Sequence, residues 1–192
     1  MTDRPKRLGT PAQRNISYRV ALGGIVSAFS LMCMFLTGVF PLLYLVLAML
    51  SGELLLIVVM EVSTQWGWLT YLAVSLLSVF VTFDKEAALI FILFFGSYPL
   101  LHRLLARIRL RIVRIPVKLA IFNVCMLLYY YITVYVLGLA ELMESLREYG
   151  RYAGTVILLA LNPFFLMYDH TLDGLCDVYR RQLKPRITGR HP

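Results

Sequence analysis

Long apolar runs alternate with short polar breaks along this chain. The runs cover approximately residues 17–40, 42–60, 67–83, 87–101, 117–137 and 152–168. A helix rising about 1.5 Å per residue needs roughly 20 apolar residues to cross about 30 Å of hydrocarbon. Five runs approach or exceed that length, and the fourth, which carries Gly96 and Pro99, is short. The pattern predicts an all-α, polytopic membrane protein built as a six-helix bundle. Residues 1–16 read as a disordered basic arm, 17–183 as the membrane domain and 184–192 as a basic tail.

The breaks differ in character. Pro41 separates the first two runs so closely that they form a tight helical hairpin. Glu61–Gln65 is a polar turn, followed by Trp66 and Trp68 as interfacial anchors. Asp84-Lys85-Glu86 reads as a solvated turn. Over residues 102–115, Arg103, Arg107, Arg111 and Arg114 step by helical intervals, with Leu104, Leu105, Ile108 and Ile112 opposite them. That pattern predicts one amphipathic cytoplasmic helix ended by Pro116. Gly138–Gly150 is acidic, with Glu141, Glu144 and Glu148 against Arg147. The sixth run is expected to continue as a helix through Asp169–Leu183.

Composition sharpens this picture. The 192 residues are 59% hydrophobic, above the 45–50% or so typical of soluble domains. Little chain remains for a separate soluble catalytic domain. The net charge of +8 is carried mainly by three clusters. They are Arg4, Lys6, Arg7, Arg14 and Arg19; Arg103, Arg107, Arg109, Arg111, Arg114 and Lys118; and Arg180, Arg181, Lys184, Arg186 and Arg190. Together they hold sixteen of the nineteen lysines and arginines. Basic residues flanking spans stay on the cytoplasmic side. Six crossings with both termini cytoplasmic put all three clusters there, which favours counting the short fourth run as a crossing. Their place beside spans points to membrane lipid and not to nucleic acid. The first run is expected to be an uncleaved span and not a signal peptide.

Several residues are candidates for chemistry. Glu53 lies near the middle of the second run, where a carboxylate is costly unless paired, hydrated or protonated. It is the leading substrate-binding candidate. Tyr129, Tyr130 and Tyr135, with Tyr131 and Asn123, mark the fifth run, and a tyrosine-lined face suits a planar or partly polar small molecule. Asn162-Pro163 interrupts backbone bonding in the sixth. Gly23 and Ser27, like Gly24 and Ala28, are four apart and offer a flat face for close helix approach. Arg103, Arg107 and Arg111 are candidates for partner docking. Asp169, His170, Asp173 and Asp177 look like metal ligands at first, but ion pairing with Arg180 and Arg181 is the better reading. Cys33, Cys125 and Cys176 are widely spaced, as expected of packing residues. No P-loop, HExxH or GxSxG motif is present, so no enzyme activity, metal or cofactor is expected.

A first helix rich in small residues (Ala21 to Ala28), a basic inner loop and a basic C-terminal helix resemble substrate-binding S components of energy-coupling factor transporters. Phe94–Leu101, and Tyr168-Asp169 before Tyr179-Arg180-Arg181, carry the likeness to small bacterial membrane proteins of that group. The resemblance implies a binding subunit in the bacterial cytoplasmic membrane. It also implies a transmembrane coupling subunit and a pair of ATPases as partners, and a small-molecule ligand, often a vitamin. Carried onto this chain, Gly24 and Ala28 would dock the coupling subunit, although Ile25 stands where a strict AxxxA pattern would repeat Ala21. The alternative is a membrane scaffold similar to rod-shape morphogenesis subunits, recruiting cytosolic partners or anionic lipid.

Overall fold

The computed structural model describes residues 11–106, 108, 110–138 and 153–179; of residues 11–15, 111 and 153, only the backbone is described. Regular structure among them is entirely helical. Helix α1 (Pro11–Val39) leads through a 3₁₀ turn (Pro41–Leu43) to α2 (Tyr44–Glu61) and α3 (Thr64–Val81). Then come α4 (Lys85–Ile90), a π-helical turn (Phe91–Phe95), α5 (Tyr98–Leu105), α6 (Arg111–Tyr135) and α7 (Ala153–Val178). Among the described residues, six segments are long and apolar enough to cross a membrane: Ile16–Val39, Pro41–Glu61, Thr64–Val81, Lys85–Leu105, Ile112–Tyr135 and Gly154–Val178. The chain is a multi-pass helical membrane protein.

Local chemistry sets the boundaries. Pro41 opens its turn at a position where the missing N–H has no helical partner to lose. Ser63 caps α3, its hydroxyl accepting from the Trp66 N–H at 3.4 Å. Asp84 caps α4 through Oδ1, which accepts from the N–H groups of Glu86 and Ala87 at 2.9 and 3.2 Å. The charged turn is therefore a helix start. Past the end of α6, Gly138 takes φ 68°, a left-handed conformation that suits glycine.

Three expectations need correction. The basic arm was expected to be disordered up to the first span; residues 1–10 lie outside the described residues, but residues 11–15 are helical, α1 beginning at Pro11, a residue suited to a first helical position. The single amphipathic helix over 102–115 does not form. Helix α5 ends at Leu105 and α6 starts at Arg111, while Ala106 and Ile108 donate back to His102 O and Leu105 O. Arg103 and Arg111 thus belong to different helices, and Arg107 lies outside the described residues. Pro116 does not end a helix but sits in the second turn of α6, where it forfeits one backbone bond. The fourth segment, the shortest apolar run, is long enough to cross, as expected, and is the most enclosed of the six.

The chain forms two compact units, residues 1–100 and 101–192. In the first, α1 packs on α2 and α3, and the π turn packs on α2. Helix α2 buries Ala48, Ser51, Gly52, Leu55, Leu56, Val58 and Val59. Small residues on that face let backbones approach closely, which in lipid is where packing stabilisation comes from. A Cβ at Gly52 would overlap the carbonyl oxygen of Phe95. Ser30 of α1 and Ser51 of α2 exchange bonds, each hydroxyl donating to the other's carbonyl at 3.1 Å.

In the second unit, α6 and α7 run antiparallel. Lys118 meets Asp169, Phe122 stacks on Phe165 with centroids 4.7 Å apart, and Asn123 meets Asn162. Partner numbers fall as α6 numbers rise, the register of an antiparallel pair. Helix α7 runs well past residue 168, as expected, and reaches Val178; the rest of the expected extension lies outside the described residues.

Candidate functional site

Glu53 follows Gly52 on α2, at the level where the π turn is pressed against that helix. A π turn widens the helix by one residue and changes which carbonyls are bonded. Here Gly96 N–H bonds Phe91 O at 2.7 Å across five residues, and the Tyr71 hydroxyl donates to Ile92 O at 2.6 Å. Ser97 Oγ donates to Leu93 O at 3.1 Å. The irregular backbone is thus held by side chains. Glu53 is not so held: its Oε1 is buried and has no hydrogen-bond partner among the described residues. A buried polar group in that state costs free energy unless something else completes it.

Helix α1 divides the four small residues proposed for docking. Gly23 is buried, and a Cβ there would lie 3.4 Å from Thr70 Oγ1 of α3; Ser27 is half-buried. That face serves the chain's own packing. Gly24 and Ala28 are exposed, and a Cβ at Gly24 would meet nothing within 4 Å. They share the outward face with Ile25, Phe29, Met32 and Phe35.

The second unit carries a separate polar cluster. Lys118, 3% exposed, donates to both oxygens of Asp169, 15% exposed, at 2.7 Å. Nε2 of His102, 5% exposed, lies 3.4 Å from Asp169 Oδ1 and 3.2 Å from Asp173 Oδ1. Asp173, at 57%, opens the cluster to solvent. Asp169 is bonded to a lysine on a different helix; the expected pairing with Arg180 and Arg181 falls on residues outside the described ones. Deeper along the same pair of helices, Asn123 Nδ2 donates to Asn162 Oδ1 at 3.0 Å, and both amides donate back to carbonyls one turn earlier.

The remaining candidates spread out. Tyr129 and Tyr130 are half-buried on α6. Tyr135 is exposed and packs on Tyr131 at 4.8 Å between centroids. Asn162 is engaged with Asn123. Arg103 is half-buried at the end of α5. His102 was not singled out by sequence reasoning, and Lys118 entered only as a member of the central basic cluster. The available signal was a lysine just inside an apolar run, which requires a counter-charge; its partner 51 residues away is invisible to local spacing. Comparison with protein-family models, curated proteins and solved structures gives no match.

Proposed function

We propose that this chain is the small-molecule capture subunit of a membrane uptake system, similar to an S component, with Glu53 as its polar recognition group. The observation that carries this reading is the buried Oε1 of Glu53, without a hydrogen-bond partner among the described residues, in the middle of a membrane span. An ionisable group at that depth is a functional-site candidate by default. Its neighbourhood supports the same reading, because π turns recur at functional sites and the turn is braced by Tyr71 and Ser97. A ligand bearing a cationic or hydrogen-bond-donating group would complete the carboxylate.

The exposed small residues Gly24 and Ala28 offer a face on which a transmembrane coupling subunit could pack closely. The basic clusters, on this reading, mark the cytoplasmic side of a bacterial cell membrane, where coupling ATPases would act. The chain itself supplies recognition and no energy source.

Native mass spectrometry of the detergent-purified protein, followed by titration with a vitamin and nucleobase panel, tests the reading. The expected result is one tightly held small molecule per chain. Glu53→Gln should weaken its binding at least about tenfold while leaving the melting temperature equal or higher. An amide is cheaper to bury than an unpaired carboxylate, and functional groups commonly reduce stability. Failure to bind anything, with co-purification of cell-wall synthesis or division proteins, would favour the scaffold alternative.

A further inference from the structure

We propose that His102, Asp169 and Asp173 form a weak divalent-metal site, with zinc the best-fitting ion. The donor set mixes one imidazole and two carboxylates, ligand types that zinc accepts. Nε2 of His102 and one oxygen of each carboxylate all lie within 4.8 Å of one another. Two donors each about 2.0–2.1 Å from a tetrahedral zinc stand about 3.3 Å apart. The His102 separations, 3.4 Å to Asp169 and 3.2 Å to Asp173, match that spacing. Asp169 and Asp173 sit one turn apart on α7, so a single helix face presents both carboxylates, while α5 supplies the imidazole.

Lys118 shapes the site without coordinating. Its ammonium bonds both oxygens of Asp169 and fixes that carboxylate's orientation, as outer-shell partners of metal ligands do. Each oxygen keeps a lone pair for the ion. The same ammonium repels a dication, so affinity is modest. The exposed side chain of Asp173 gives the ion an entry path and leaves a fourth position for water. A simple ion pair between Lys118 and Asp169 would not require His102 or Asp173. The site is independent of the Glu53 reading, and its readout is metal alone.

Zinc titration of the full-length protein in detergent, followed by calorimetry, tests the proposal, with cobalt as a spectroscopic probe. One saturable equivalent per chain is expected, with a visible cobalt band of tetrahedral type. Asp173→Asn, at an exposed position that leaves folding intact, should weaken binding at least about tenfold. His102→Gln should do the same, and His170→Ala, altering an exposed neighbour on α7, should leave binding unchanged. Absence of saturable binding by the unmodified protein overturns the proposal. So does unchanged binding in Asp173→Asn, or loss of binding in His170→Ala.

Discussion

Gly52 and Gly24 show how one residue type serves two ends. A side chain at Gly52 has no room, because the carbonyl of Phe95 occupies its place and backbone cannot swing aside. Gly52→Ala should therefore destabilise the protein by about 2–3 kcal/mol, in the range of overpacked cores. A thermal-shift measurement in detergent checks this, and a melting temperature equal to the parent's would refute the close approach. Gly24→Ala adds its methyl to open space and should leave stability unchanged in the same assay. Both positions were legible as small residues in a span. Which of them is filled by the chain's own backbone was not, because that depends on a partner more than forty residues away.

Among the elements, α6 and α7 depend on polar groups placed in register. Lys118 and Asp169 are both largely removed from solvent, so taking away one partner leaves an uncompensated charge. Lys118→Met should destabilise the protein by about 3 kcal/mol, the lower end for breaking a buried pair. Adding Asp169→Asn should restore part of that loss, because the stranded charge is removed. Equilibrium unfolding of the single and double variants measures the coupling; equal stability of all three would contradict a buried pair. The helices themselves were readable from apolar run length, and the α7 extension past residue 168 was anticipated. The break between Leu105 and Arg111 was missed, because arginines at helical spacing fit one helix as well as two. Pro116 misled for a related reason: a proline near a helix start costs a single backbone bond and need not end it.

At the scale of the whole molecule, six apolar segments and three basic clusters predict an even number of crossings with both ends on one side. Accessibility mapping of single cysteines, introduced in a Cys33, Cys125 and Cys176-free background, tests this. Positions near residues 5, 108 and 188 should label from the cytoplasmic side, and positions near 84 and 145 from the other. Labelling of 108 and 188 from opposite sides would contradict the charge reading. The number and approximate limits of the spans follow from sequence alone. A backbone in hydrocarbon must bond within its own helix, so apolar length translates directly into a crossing. The mid-span position of Glu53 was equally plain, since depth is set by distance along the chain. Tertiary structure alone decided that Glu53 Oε1, beside a π turn, has no partner among the described residues, that Gly23 faces inward while Gly24 faces out, and that His102, Lys118, Asp169 and Asp173 converge. Those are relations between side chains on different helices. Helix rotation and register set them, and a hydrophobic run long enough to span a membrane leaves both undetermined.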